Sequence, residues 1–151
     1  HALRDIYAAE KQITKSLPRM IDHAGNVDLR RGLEIHLKET VGQVRTLEKI
    51  FQLLDLEPIG VDCPALDGIL KEAEDVGGET HNAHFADAAL IAAVQTIEHF
   101  EIARYGTLIA WAKHLGKDAC VELLKQNLEE ERAADETLSK LAESQVNVAV
   151  A

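Results

Sequence analysis

The chain has 151 residues, of which 46% are hydrophobic, 28% are charged and only 4% are aromatic. These values fit one globular domain with an aliphatic core, and they exclude a disordered chain. The formal net charge of -10 argues against a nucleic-acid partner, because phosphate binding needs a basic surface. No apolar run approaches the roughly 20 residues of a membrane span. The two cysteines are too few for a disulfide framework, and they favour a reducing compartment.

The first half of the chain predicts two long helices joined by a tight turn. The first runs from about Ala2 to His23, and Gly25 is expected to end it in the left-handed conformation. The second begins near Asp28, as the N-cap, and runs to about Leu54. Apolar residues spaced three and four apart give each helix one face for the core.

The second half repeats this arrangement after a long connection. The connection carries a short helix that opens at Pro64. A third long helix runs from near Asp87 to a glycine stop at Gly116, and Trp111 is expected in its buried face. The fourth runs from about Asp118 to Glu143. The sequence therefore predicts an all-α fold, a ferritin-like four-helix bundle whose long central crossover carries a short fifth helix. Residues 1–151 are expected to form a single domain.

An internal repeat supports this topology. When the chain is shifted by 91 residues, Glu10 aligns with Glu101, and the turn residues His23 and Gly25 align with His114 and Gly116. The two helical hairpins therefore look like copies of one unit, related by a pseudo-two-fold axis.

Carboxylates occupy positions on the predicted core faces where leucines are expected. The first helix has Glu10 between Ile6 and Ile13, and the third has Glu98 and Glu101 on its stripe. The fourth helix adds Glu131 and Asp135. On the second helix, a polar stripe flanks the apolar seam of Leu33, Leu37, Val44, Leu47 and Phe51; this stripe consists of His36, Glu39, Thr40 and Gln43.

Burial of so many acids needs compensation. One unpaired carboxylate inside a protein costs several kcal/mol, while a whole domain is stable by only about 5–15 kcal/mol. Two divalent cations bridged by glutamates would supply the compensation, and the hard oxygen ligands suit iron or manganese. Two alternatives stay open. The acids face solvent because the stripe is rotated by one position, or they form a polar core without metal.

The sequence resembles a known family over nearly its whole length. The segments "LRDIYAAEKQITKSLPRM", "HLKETVGQVRTLEKIF", "DAALIAAVQTIEHFEIARYGTLIAWA" and "EEERAADETLSKLA" are similar to the YciF/YciE-like family of ferritin-like stress proteins. More distantly, "EHFE" followed by "Y" resembles the third-helix motif of rubrerythrins, in which both glutamates serve a di-iron centre. The resemblance implies a cytoplasmic, homodimeric four-helix bundle with a di-metal site.

The resemblance also implies roles for particular residues. Glu10, Glu98 and Glu101 match the glutamates of the first and third helices of ferritin-like sites, and Glu39 and Glu131 match the bridging glutamates of the second and fourth. Those sites usually have a histidine three residues after each bridging glutamate, but this chain has Gly42 and Ala134 there. Gln43 and Asp135 are candidate substitutes, and His36 is either a ligand or a hydrogen-bond partner of one.

Three functions follow from these patterns. The first is a redox protein in which two iron or manganese ions react with peroxide or dioxygen. The second is a non-catalytic stress protein that binds metal for structure or sequestration. The third is a metal-free helical interaction module. Loss of the two histidines favours the second over the first, and the sequence leaves open whether the protein is an enzyme.

Overall fold

The computed structural model describes residues 1–78 and 83–150, and this part of the chain is helical with no strand. Five α-helices follow in chain order: α1 (Ala2–His23), α2 (Val27–Leu53), α3 (Pro64–Gly78), α4 (Ala83–His114) and α5 (Asp118–Leu141). A π-helical segment (Ala142–Val146) and the short α6 (Asn147–Val150) complete the described chain. The predicted all-α fold class is confirmed, and none of the described helices is long and apolar enough to cross a membrane.

The four long helices contact one another in a closed ring. α1 packs on α2, α2 on α5, α5 on α4, and α4 on α1, while α3 lies against α4. The core between them is mainly aliphatic, and Phe51 is fully buried there as predicted, with its ring edge against Tyr7 at a centroid distance of 5.4 Å. This ring brings the middle of every long helix to one interior region.

The turn between α1 and α2 differs from the prediction. Asn26, not Asp28, caps α2, because its side-chain oxygen accepts the N–H groups of Asp28 and Leu29 at 2.9 and 3.0 Å. Gly25 does not have a positive φ. Its N–H instead donates to the buried Asp87 carboxylate of α4 at 2.8 Å, and a Cβ there would lie 3.2 Å from that group. The glycine therefore permits a close approach of α4, and the predicted left-handed stop at Gly25 is wrong.

The second hairpin is closer to its prediction. Gly116 has φ of 65°, so the expected left-handed stop is confirmed. α4 starts at Ala83, four residues before the predicted Asp87. Trp111 is 55% exposed, so its predicted place in the core is wrong. The buried side of α4 continues through Tyr105 and Leu108, which turns Trp111 towards solvent.

The buried side of α2 is also rotated relative to the predicted apolar seam. Leu37 and Val44 are only partly buried. The polar side chains predicted to flank the seam lie inside instead: His36, Thr40 and Gln43 are between 0% and 4% exposed. The polar stripe of α2, and not only its leucines, therefore faces the centre of the molecule.

Candidate metal centre

Two glutamates stand in the middle of α4 at fully buried positions. Glu98 and Glu101 are both 0% exposed, and they lie on the helix face that also carries the buried Val94 and Tyr105. Residues three and four apart share one face of an α-helix, so the acids extend the apolar stripe into the core. A rotated stripe with solvent-facing acids is therefore excluded for these two residues.

α2 and α5 bring two further polar groups to the α4 pair. His36, Glu98, Glu101 and Glu131 each offer one ligand atom, and these four atoms all lie within 4.8 Å of one another. The Nε2 atom of His36 is 3.1 Å from an oxygen of Glu98. All four side chains are buried. One imidazole and three carboxylates at these distances form a donor set that one divalent cation can engage.

Burial controls the protonation of this cluster in the absence of metal. Desolvation, followed by the neighbouring Glu131 carboxyl, raises the pKa of Glu98 to about 11. Desolvation and the charge of Glu131 raise the pKa of Glu101 well above its ordinary value. The pKa of Glu131 is also raised, again mainly by burial, and burial lowers that of His36 to about 4. His36 is therefore a neutral imidazole near pH 7, the form that binds metal.

The cluster leaves buried polar atoms without hydrogen bonds. Within the described part of the chain, the carboxyl oxygens of Glu98, Glu101 and Glu131 receive no hydrogen bond from another kind of residue, apart from the 3.1 Å approach of His36 to Glu98. The nearby arginines are engaged elsewhere, since Arg104 pairs with Asp5 at 3.2 Å and Arg132 with Glu129 at 2.7 Å. Unsatisfied buried polar groups are rare in native proteins. A bound cation would satisfy these oxygens at once, so the residues present fit a metal.

A hydrogen-bonded network adjoins the cluster on the α1 side. Glu10 is 0% exposed, and one of its oxygens accepts the hydroxyl of Tyr105, while the other has no partner among the described residues. Asn127 of α5 donates to the Tyr105 oxygen at 2.9 Å. Burial, and then the charge of Glu131, raises the pKa of Glu10 well above its ordinary value. Glu10 therefore has one free oxygen beside the four-residue cluster.

The remaining candidates are not among the four clustered residues but lie near them. Gln43 is fully buried and donates to Glu130 at 3.1 Å. Glu39 is partly buried, and burial and Glu130 raise its pKa. Asp135 lies at the edge of the core, where it accepts from Gln95 at 2.9 Å. Glu39, Gln43 and Asp135 as metal ligands stay predictions.

Asn127 is the polar residue of this region that sequence reasoning missed. It is 0% exposed and lies one turn before Glu131 on the buried side of α5. The same spacing that selected Glu131 reaches Asn127, so the signal was present. An asparagine carries no charge, however, so a search for buried acids does not detect it.

The chain is similar to one family model and to proteins of that family. A family model described as Domain of unknown function (DUF892) matches residues 1–151. The chain is 40% identical to Protein YciF of Escherichia coli (strain K12) over 148 residues, which cover 97% of this chain and 89% of that protein.

Solved structures agree with this assignment. The E. coli stress protein YciF superposes with a TM-score of 0.92 at 40% identity, covering 97% of this chain and 93% of that one. YcfI of Rhodopseudomonas palustris, which is described as a candidate structural protein, gives a TM-score of 0.91 at 53% identity. The match covers 92% of this chain and 88% of that one. A protein of Xanthomonas campestris shares the fold at 22% identity, with a TM-score of 0.78 and coverage of 99% and 91%.

Proposed function

Because the chain belongs to the DUF892 family of YciF-like proteins, we propose that it is a ferritin-like four-helix bundle of a stress-response family that binds divalent iron or manganese in its core. One observation carries the proposal: His36, Glu98, Glu101 and Glu131 place ligand atoms within 4.8 Å of one another in a buried site. The ring of contacts among the four long helices supports the bundle assignment.

We assign the first ion to this four-residue cluster. A single imidazole with three carboxylates suits iron or manganese better than it suits a thiolate-preferring metal. Glu10 would hold a second ion, because its free oxygen lies next to the cluster and because the resemblance assigns it that role. When bound, a pair of iron or manganese ions can exchange electrons with a small oxidant such as peroxide or dioxygen.

The residues around the ions have separate tasks in this proposal. The neutral His36 imidazole and the carboxylates bind and orient the metal, and the aliphatic residues of the core keep bulk water away from it. The Tyr105 hydroxyl donates to Glu10 and fixes the direction in which this carboxylate points. Asn127 in turn holds the tyrosine oxygen, so Glu10 is positioned by a chain of two hydrogen bonds.

A non-catalytic role is the second candidate. The positions three residues after Glu39 and Glu131 are Gly42 and Ala134, neither of which can ligate, so the proposed pair of ions lacks the two imidazoles that ferritin-like sites usually supply there. This observation favours metal binding for structure or sequestration over turnover. The description of the R. palustris relative as a structural protein points the same way.

Metal content decides between these functions. Protein purified without chelator and saturated with Mn²⁺ or anaerobic Fe²⁺ should hold about two ions per chain, the first bound more tightly than the second. Peroxide consumption by the loaded protein supports the redox function, and loading without consumption supports the structural one. A chain that takes up neither metal, and whose stability does not respond to chelator, would refute both.

A matched pair of variants tests the site itself. Glu131→Leu should abolish tight binding, because it removes a ligand from the cluster. Glu129→Leu, two residues earlier on the exposed side of α5, should leave metal content unchanged. Metal retained by Glu131→Leu at the wild-type level would show that the site is placed wrongly.

We also propose, from the family resemblance, that the protein is a homodimer. The chain has a mass of 16.6 kDa, so light scattering should give twice this value. A mass equal to one chain would contradict the proposal.

A further inference from the structure

A cavity of about 110 Å³ connects the surface with the candidate metal centre. Its walls come from α2, α4 and α5. Ile35 and Ala133 on the wall are exposed, whereas His36 and Glu98 on the same wall are buried, with 4% and 0% of their surface accessible. The cavity therefore runs from solvent to two of the four clustered residues.

Two of the residues that line the cavity are small. Gly32 of α2 and Ala134 of α5 both line it. The Ala134 side chain is a single methyl group, so space remains beside His36 and Glu98 on the cavity wall.

Among the described residues that line this cavity, Glu39 is the one carboxylate outside the four-residue cluster. It is partly buried, one turn beyond His36 on α2. We propose that this cavity is the route by which a divalent cation reaches the buried centre, and that Glu39 is the first protein group to capture the ion. The inference rests on the proposed function, since it concerns access to the same centre.

The position of Glu39 on the wall explains why it would meet an entering ion first. Glu39 is partly buried, whereas His36 and Glu98 on the same wall are buried, so the Glu39 carboxylate is the more accessible to solvent. A cation that moves from solvent towards the buried residues exchanges waters for protein oxygens, and Glu39 offers an anionic oxygen before Glu98 does.

The buried ends of the route point to a ligand independently of Glu39. The oxygens of Glu98 receive no hydrogen bond from another kind of residue within the part of the chain that the structure describes. The His36 ring nitrogens also have none there, apart from the 3.1 Å contact with Glu98. Atoms of Glu98 and His36 that can bind a cation therefore lie at the buried end of the cavity, and the Glu39 carboxylate lies on its wall.

Stopped-flow loading with Mn²⁺ tests the route, with a fluorescent indicator that follows the free ion. Glu39→Gln should load about tenfold more slowly than wild type, because one steering charge is lost, and its rate should depend less on salt. Its final metal content should equal that of wild type, because the inference gives Glu39 a role in entry in place of the bridging-ligand role that the family resemblance implies. Glu34→Gln is the matched control, since it removes an exposed charge from α2 outside the cavity and should load normally.

A second variant tests the route sterically. Ala134→Leu places an isobutyl group in the cavity and should slow loading at least tenfold, whereas Ala103→Leu on the exposed side of α4 should not. Circular dichroism checks folding, and if the Ala134→Leu variant does not fold, the rate of Glu39→Gln decides alone.

The outcomes separate this inference from the proposed function. Loading of Glu39→Gln at the wild-type rate overturns the route. A lower final metal content in Glu39→Gln also overturns it, because Glu39 would then be a ligand of the bound ion. Normal loading of a folded Ala134→Leu variant overturns it too. A wild-type chain that binds no Mn²⁺ refutes the proposed function, and the route falls with it.

Discussion

Replacing Glu98 by glutamine separates the cost of burying a carboxyl group from its proposed use as a ligand. Glu98 is 0% exposed, and burial together with the nearby Glu131 raises its pKa to about 11. In chelator at about pH 7.5, the folded chain therefore keeps this proton and the unfolded chain, with an ordinary pKa of 4.5, releases it. Because the folded state binds more protons, the free energy of unfolding falls as pH rises above about 4.5.

The magnitude follows from the pH interval. One unit corresponds to about 1.4 kcal/mol per group, so the three units between pH 4.5 and 7.5 cost up to about 4 kcal/mol. The adjoining cavity lowers this figure because it brings solvent closer to the carboxyl group. We therefore expect Glu98→Gln to stabilise the metal-free protein by about 2–4 kcal/mol at pH 7.5 but by less than about 1 kcal/mol at pH 5. His36 has the opposite sign: its pKa is lowered to about 4, so its contribution to stability rises between about pH 4 and 6.5. That contribution is present in both proteins and largely cancels in their difference.

Urea unfolding followed by circular dichroism measures these changes, in chelator at both pH values and then with Mn²⁺. At a hundredfold excess over its Kd, the metal should stabilise wild type by about 2.7 kcal/mol and the variant by much less. Glu34→Gln, an exposed control, should stay within about 0.5 kcal/mol of wild type throughout. If Glu98→Gln is instead less stable than wild type by the same amount at both pH values, the carboxylate is satisfied without metal and the reasoning is refuted.

Four further substitutions test other parts of the structure by urea unfolding. Asp87→Ala should cost about 2–3 kcal/mol, because two backbone N–H groups of the α1–α2 turn lose a charged acceptor; a cost below about 0.5 kcal/mol would show that the turn is held otherwise. Gly116→Ala should destabilise by about 1 kcal/mol because of its positive φ, whereas Gly106→Ala inside α4, where a Cβ meets open space, should stabilise by about 0.5–1 kcal/mol; equal signs would contradict this. Tyr105→Phe should cost about 1–2 kcal/mol in chelator and weaken Mn²⁺ binding, since Glu10 loses its donor; unchanged metal affinity would refute the positioning role.

The helices α1 to α5 and their order could be predicted because they depend on local patterns, whereas the π-helical segment and α6 were not predicted. Apolar spacing and the Gly116 stop act within a few residues, and both are confirmed. The α1–α2 turn could not be predicted in the same way. Its conformation depends on the Asp87 carboxylate of α4, whose hydrogen bonds to the turn span 61 and 62 residues of sequence. Nothing near Gly25 in the sequence indicates that contact.

The candidate site shows the same division. The sequence predicted the burial of Glu98, Glu101 and Glu131, because each lies on a helical stripe whose other members are mostly apolar. The sequence of α2 could not show which of its polar residues is buried, because polar and apolar residues lie on adjoining faces of this helix. Packing against α1 and α5 turns His36 fully inwards and leaves Glu39 partly exposed. A rotation of one helix by a fraction of a turn decided which of the two joined the cluster.

The internal repeat explains why two metal positions in this bundle would not be equivalent. A shift of 91 residues pairs Glu10 with Glu101, and both are buried acids. The other three members of the cluster pair with residues that are poor metal ligands, since Glu98 aligns with Tyr7, Glu131 with Thr40 and His36 with Asn127.

Each of these three partners makes a hydrogen bond of its own. Tyr7 donates to Glu48 at 3.0 Å, Thr40 to the His36 carbonyl at 2.8 Å, and Asn127 to Tyr105 at 2.9 Å. One half of the pseudo-symmetric pair therefore keeps a full donor set with unsatisfied oxygens. The other half has Glu10 as the single acid among its four aligned positions, beside three neutral side chains, of which Asn127 keeps an Oδ1 atom without a partner among the described residues. Because affinity follows the number and charge of the donors, the ion at the four-residue cluster would bind first, and the ion at Glu10 would bind only next to it.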